Sequence, residues 1–417
     1  MKDGVRGQAN TFGLYARFAA AGLLGLGVAW LAISETAAHR LSSANPSASL
    51  AWRPSNSEAL SAAEQSSLAN ALTPADFDLV KARIRDELAR APMTVGAFRD
   101  LAQLTELNPS SGDANALMAM SNRLTRRDDQ TERWIFFHRL ASADYPEAML
   151  QADLLARRNH DIDEWALFLP QLTPALRRAA ARQALVARLA LRPDWRQSFM
   201  SDLVNTDPDP AVVEDIFLRL RTLNSGPDAD EISLLGNHML ADGRFVEARA
   251  VWGRLVGHGA TGANLIYDGN FEGWSGPPPF NWRLQDNGGV YAEVSTAPDG
   301  GGKALRTEAP SDNSELLAEQ QVVAPAGHYR FSGRVMVERV AQGGAFQWAV
   351  WCGSTNAVLA KASFDAAGSW RPFQVDVIAP DNCGVLSVRL QTEGGDGGGQ
   401  AAVAWSEQLS LTPQASS

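Results

Sequence analysis

Cysteine is scarce in this 417-residue chain: only Cys352 and Cys383 occur, both in the last third. Two thiols exclude a cysteine-stapled miniprotein and a cysteine-rich metal centre, leaving at most one clip. A basic stripe is also missing. The formal charge is −10, from 37 Lys and Arg against 47 Asp and Glu, so a phosphate backbone would find nothing to neutralise it and no nucleic-acid partner is expected. The six histidines, at 39, 138, 160, 238, 258 and 328, form no H-E-x-x-H and no paired metal spacing, which leaves zinc chemistry without ligands. No Walker sequence occurs, and the glycines at 394–399 follow a strand-like run with no helix to complete a phosphate cradle. The acidic runs Asp161-Ile162-Asp163-Glu164 and Asp207-Pro208-Asp209-Pro210 lack the Gly and terminal Glu of an EF-hand loop and read as helix starts and turns. No catalytic residue can be named, and catalysis is not expected. A glycan hydrolase stays open only because its paired carboxylates meet in the fold and leave no spacing in the sequence.

What is present is globular: 45% hydrophobic and 20% charged residues, with length for two to three folded units. Residues 18–34 carry no charge for 17 positions, about 26 Å as a helix, which nearly spans a bilayer. Lys2, Arg6 and Arg17 precede the run and favour a cytoplasmic start. Residues 1–34 are therefore expected to be a single-pass anchor in the inner (cytoplasmic) membrane, with the bulk of the chain periplasmic or extracellular. The small residues Thr36-Ala37-Ala38 would suit cleavage of a signal peptide, the alternative route to export, and a soluble helix is the third reading. Residues 35–61, rich in Ser, Ala and Asn with Pro46 and Pro54, read as a flexible linker.

From 62 to 260 apolar residues recur at three- and four-residue spacing, which predicts helices. Residues 134–158 predict a pair joined at Ala143-Asp144-Tyr145-Pro146, and residues 232–256 a pair joined at Asp242-Gly243-Arg244. In the second pair Leu235, Gly236, Met239, Gly243, Phe245, Ala248, Trp252 and Leu255 stand where tetratricopeptide repeats place packing residues, as do Tyr145, Ala148 and Leu155 in the first. The region resembles that family over about half of its length. The resemblance implies stacked αα-hairpins in which Gly236 and Ala248 admit a close neighbour, Phe245 and Trp252 fill the wedge to the next pair, and a groove receives a protein partner.

From 264 to 413 short alternating runs separated by turns predict an all-β unit. Tyr329, Phe331, Val335 and Val337 share one face against Arg330, Arg334 and Glu338. Phe346, Trp348, Val350 and Cys352 oppose Gln347 and Trp351, and Leu386, Val388 and Leu390 oppose Ser387, Arg389 and Gln391. The opening residues 264–272 (NLIYDGNFE) and the closing residues 405–411 (WSEQLSL) resemble the first and last strands of carbohydrate-binding jelly rolls with a galactose-binding-like fold. That resemblance implies a β-sandwich with its two ends side by side and a structural calcium held by Asp268, Asn270, Glu272 and Glu407. The family more often has Asp where this chain has Glu407 and Gln408.

Sugar recognition needs an aromatic plane ringed by amides, guanidiniums and carboxylates. Trp351 with Gln347, Arg334, Arg389 and Gln391 supplies that mix at outward positions, whereas Trp348, Trp370 and Trp282 read as core. In an oxidising compartment Cys352 and Cys383 would bridge a loop of about 30 residues; the alternative, a reactive thiol, has no base near it in sequence.

The expected protein is multidomain, α then β: a single N-terminal transmembrane helix, a tetratricopeptide-like αα-hairpin repeat region and a C-terminal β-sandwich jelly roll. The expected role is a non-catalytic exported scaffold for cell-surface polysaccharide production or export, binding polysaccharide through the sandwich and an envelope protein through the helices. A purely structural protein adaptor is the rival.

Overall fold

In the computed structural model of the chain, the described residues are 30–414 apart from 31, 43, 55, 57, 61, 64–65, 67–73, 108–111, 159–163, 207–208, 224, 258–262, 274–275, 311–312 and 397–400. Most of the expected anchor, 18–34, lies outside them; among the described residues no helix is long and apolar enough to cross a membrane. Helices α1 (Pro46–Trp52), α2 (Pro74–Arg90), α3 (Val95–Leu107), α4 (Ala114–Leu124), α5 (Asp129–Ala141) and α6 (Tyr145–Arg158) come first. They are followed by α7 (Glu164–Leu176), α8 (Ala179–Leu189), α9 (Arg196–Asn205), α10 (Pro210–Arg221), α11 (Ala229–Ala241) and α12 (Phe245–Val256). The strands β1–β11 then run from Arg283 to Pro413.

The chain divides into two compact units, Met1–Leu155 and Ala156–Ser417. That border falls inside α6 and not at the change from helix to strand near residue 260. In the first unit Val80, Ile84, Ala97 and Leu104 form an apolar cluster. Asp113 and Asp128 start α4 and α5 by accepting the N–H of Ala116 and Thr131, which satisfies donors that a helix start leaves free. Buried Arg99 pairs with Asp100 (3.0 Å) and Asp128 (2.7 Å).

In the second unit each helix packs on the one two places further on: α7 on α9 and α9 on α11, α8 on α10 and α10 on α12. Two layers result, the order expected of stacked helical hairpins. The predicted turns have a common geometry. Asp144 N–H donates to Arg139 O and Arg244 N–H to Met239 O, both at 2.9 Å, with Ala143 (φ 62°) and Gly243 (φ 73°) left-handed between them. Helix pairing therefore stands; membership of the tetratricopeptide family does not follow from it.

What lies against the last pair departs from expectation. Gly236 admits no further helix: a Cβ there would sit 2.9 Å from Pro279 Cδ. Trp252 Nε1 donates to Pro277 O (3.0 Å), its ring stands edge-on to Tyr267 and Phe280, and Ser233 Oγ donates to Pro278 O (2.7 Å). The Arg249 guanidinium lies over the same three rings at 4.9–5.8 Å, and burial lowers its pKa. The residues that read as a wedge for the next repeat grip the proline segment that opens the sandwich, so the sandwich takes the next repeat's place and caps the stack.

The sandwich is antiparallel throughout. One sheet has the order β1 (Arg283–Leu284), β5 (Leu316–Val323), β10 (Val385–Glu393), β7 (Ala345–Cys352), β8 (Val358–Phe364). The other runs β2 (Asp286–Asn287), β3 (Val290–Thr296), β4 (Lys303–Pro310), β11 (Ala401–Pro413), β6 (Gly327–Arg339), β9 (Arg371–Ala379). Phe331, Val335, Val337, Phe346, Trp348, Val350, Leu386, Val388 and Leu390 fill the core between them, as their alternation predicts. The segment before β1 lies along β11: Leu265 N–H donates to Leu411 O and Leu409 N–H to Gly269 O, each at 2.9 Å. Residues 264–273 form turns and not a strand. The two ends nevertheless meet as the resemblance implied.

Cys352 and Cys383 form the expected disulfide, with Cα atoms 5.3 Å apart. It ties the end of β7 to the loop before β10.

Candidate functional site

Alternation decides which residues leave the core, and strand pairing decides which of them meet. On β7, Gln347, Ala349 and Trp351 lie on the face opposite the core residues Phe346, Trp348 and Val350, and on β10 Ser387, Arg389 and Gln391 lie opposite Leu386, Val388 and Leu390. Of these six, Gln347, Ala349 and Ser387 are buried and the others half-buried. The register sets Ser387 beside Trp351, Arg389 beside Ala349 and Gln391 beside Gln347, with Glu319 of β5 beyond Arg389 and Lys361 of β8 beyond Ala349. Positions 347 and 351 are about 13 Å apart along the strand at ~3.3 Å per residue. Ala349 between them keeps the middle of the row low.

Two connected networks cover this face. Arg389 Nε donates to Glu319 Oε1 and to Ser387 Oγ (both 2.9 Å), its Nη1 to Asn356 Oδ1 (3.2 Å), and its guanidinium lies 5.1 Å over the Trp351 ring. Gln391 Nε2 donates to Gln347 Oε1 (3.1 Å), and Gln347 Nε2 to Glu393 Oε1 (2.6 Å) and Ser363 Oγ (3.2 Å). Trp351 Nε1 is enclosed without an acceptor. Such an unmade bond costs about 1–3 kcal/mol, which makes it informative in a domain where the indoles of Trp282, Trp348 and Trp405 are bonded.

Arg334 is the exception among the expected sugar-binding residues. It belongs to β6 in the six-stranded sheet, where it lies 5.2 Å over Trp370 and pairs with Glu407 (2.6 Å). Outward position was right, but alternation along one strand does not say to which sheet the strand belongs. Trp370 also departs from expectation. It packs with Ala297, Ala304, Trp405 and Met336 in a small cluster outside the main core. Trp348 and Trp282 are core, their indoles donating to Ser406 Oγ (3.0 Å) and Asp268 O (3.2 Å).

The residues expected to hold calcium do not fit a cation cage. The Asp268 carboxylate accepts the N–H groups of Glu272 (2.8 Å) and Gly273 (3.0 Å), closing the turn that brings the first segment alongside β11. Glu407 is turned to Arg334, while Asn270 and Glu272 are exposed. Among the described residues no group of three or more His, Cys, Asp or Glu is placed to hold a metal. Burial raises the Glu407 pKa, Arg334 pulls it back and Asp299 adds to the rise. Side chains that close these turns need only be good acceptors of N–H, a role the sequence cannot separate from ligation.

Sequence reasoning passed over Gln320 and Glu319. Buried Gln320 donates to Tyr267 O and accepts Tyr267 N–H (both 2.8 Å), anchoring the first segment as a strand would. Glu319 fixes Arg389. Both stand on the strand LLAEQQVV, and a charged residue next to a glutamine within that run was the only available signal.

No protein-family model matches the chain. No curated protein matches it either. Solved structures similar to it include a family 61 carbohydrate-binding module in complex with β-1,4-galactotriose, at 19% identity over 37% of this chain and 100% of that one (TM-score 0.28). Another is the C-terminal family 22 carbohydrate-binding module of Clostridium thermocellum Xyn10B, at 13% identity over 38% and 99% of the two chains (TM-score 0.28). The enzymatically active domain of bacteriophage CBA120 tailspike protein 4 matches at 10% identity over 36% of this chain and 22% of its own (TM-score 0.28).

Proposed function

We propose that this chain is a non-catalytic exported scaffold that binds a glycan through the outer face of the five-stranded sheet. A single-pass anchor at residues 18–34 holds it in the inner membrane, and its tetratricopeptide-like helices dock a protein of the machinery that makes or exports a cell-surface polysaccharide. The observation that carries the glycan reading is the constellation on β5, β7 and β10: an indole with an unmade N–H, an arginine stacked on it and held by Glu319, and two amides beyond Ala349. A sugar presents an apolar ring face and hydroxyls that both donate and accept, so an indole plane flanked by amides and a guanidinium complements it. The disulfide agrees with export to an oxidising compartment. The two-layer helical stack supports a docking role because such stacks expose a long continuous surface.

The test is retardation of the full-length chain in native gels containing neutral soluble polysaccharides. The wild type is expected to be slowed. Trp351→Ala, with its helical circular dichroism and disulfide intact, is expected to be slowed less than the wild type, its binding through this face weakened about tenfold or more. Equal retardation of the two proteins overturns this face as the site.

A further inference from the structure

We propose that the sandwich carries a second saccharide-binding face, on the outer side of the six-stranded sheet, centred on Trp370 and Arg334 and suited to an uncharged sugar. The inference rests on the reading of Trp351 as a sugar platform, because the same constellation recurs on the opposite face. At Trp351 the guanidinium of Arg389 lies 5.1 Å over the ring and is held by Glu319 at 2.9 Å. At Trp370 the guanidinium of Arg334 lies 5.2 Å over the ring and is held by Glu407 at 2.6 Å.

The indole N–H groups separate these two tryptophans from the other three described in the sandwich. Of the five described tryptophans of the sandwich, Trp282, Trp348 and Trp405 donate to Asp268 O, Ser406 Oγ and Glu338 Oε2. Trp351 and Trp370 donate to nothing. Trp405 makes the contrast sharpest, since it packs in the same outer cluster as Trp370 and is nevertheless bonded.

The neighbours supply polar reach. Ser332 pairs with Gln374 and Arg334 with Pro372 across β6 and β9, and Gln374 is exposed. A flat proline beside a stacked arginine, with an amide two residues on, offers a sugar both an apolar seat and a hydroxyl partner. On each face a carboxylate already neutralises the stacked guanidinium, so that group offers no unpaired charge to an acidic sugar, and the ligand class is taken as neutral. Two such faces on opposite sides of one sandwich would let one chain bridge two glycan strands, and avidity would then exceed the affinity of either face.

The experiment is calorimetric titration of the full-length chain with neutral tetrasaccharides of glucose, galactose and xylose, with tetragalacturonate as the acidic counterpart. Two sites per chain are expected for the wild type, one for Trp370→Ala, one for Trp351→Ala and none for the double variant. Because Trp370 also fills the outer cluster, Arg334→Gln serves as the second variant; at least a tenfold weakening of one site with the other intact is expected. A wild type with one site, lost in Trp351→Ala and unchanged in Trp370→Ala and Arg334→Gln, overturns the second face and leaves the first. No binding of any neutral sugar by the wild type overturns both. Tighter binding of tetragalacturonate than of every neutral sugar overturns the ligand class.

Discussion

In the helical stack, Arg196 lies with 5% of its side chain exposed, its Nε and Nη2 on the two oxygens of Glu231 (2.7 and 2.6 Å) and its remaining donors on the carbonyls of Leu189, Ser225 and Gly226. In the sandwich, Arg389 and Arg334 each hold one carboxylate, keep 25% and 34% of their side chains exposed, and spread over an indole. The residue pair is the same, but its use differs. An arginine whose every donor is consumed inside the fold positions two helices: Glu231 is also the capping-box residue of α11, so Arg196 ties the start of α9 to the start of α11. An arginine with donors to spare, on an outer sheet face and over an aromatic ring, is free to meet a ligand. Exposure and saturation of the donors separate structural arginines from candidate binding ones better than residue type does.

That contrast can be broken most directly at the carboxylates. Glu231→Ala leaves a buried guanidinium without its charge partner, for which about 3–5 kcal/mol of destabilisation is expected. Glu319→Ala leaves Arg389 partly solvated and stacked, and a cost of about 1 kcal/mol or less is expected. Urea midpoints of the two variants, followed by circular dichroism, measure the difference. Equal shifts would mean that the two kinds of arginine are energetically alike and that exposure is the wrong criterion.

The legibility of the two regions in sequence follows the same division. Periodicity placed the hairpins at 143–146 and 242–244 because two left-handed residues, Ala143 and Gly243, close identical turns between strongly patterned helices. It also separated the two faces of β6, β7 and β10. It could not tell that Gly236 and Trp252 face prolines 277–279, because small and large residues look alike to any close neighbour, whether helix or loop. Nor could it assign Arg334 to the other sheet or give Asp268 to backbone amides in place of a cation. Those outcomes depend on which strands pair, a long-range choice that alternation does not record.

A second way to sharpen the contrast is the disulfide, a crosslink that the helices lack among the described residues. It spans 31 residues, for which loop closure gives about 3–4 kcal/mol. Reduction, or replacement of both cysteines by alanine, is expected to lower the unfolding transition of the sandwich. Helical ellipticity should then fall together with it, because the last helical pair packs on the sandwich. Loss of the tertiary signal with helical ellipticity unmoved at the same denaturant concentration would show that the sandwich does not cap the stack.

The smallest expected effect is in the pH dependence, where the two regions should have opposite signs. Burial alone would raise the Asp215 pKa, but the guanidiniums of Arg219 and Arg182 overcome it and hold the carboxyl below its ordinary value of 3.8. A lowered folded-state pKa contributes stability that is complete above the unfolded value and fades as pH falls through the folded one. Asp215→Asn should therefore be less stable than wild type at pH 7, by about 0.5–1 kcal/mol for a partly exposed pair, and the deficit should close below about pH 3.8. Glu407 runs the other way, since burial lifts its carboxyl above 4.5 despite Arg334. The folded state then holds the proton more tightly than the unfolded chain, so its contribution is present at low pH and is lost as pH rises through the raised value. Relative to wild type, Glu407→Gln should be at its most stable near neutrality and lose that margin on acidification. Urea midpoints of both variants from pH 3 to pH 8 should give difference curves of opposite slope. Parallel slopes would place Glu407 with the internally consumed ion pairs of the helices and take Arg334, its partner, out of the set free to meet a sugar.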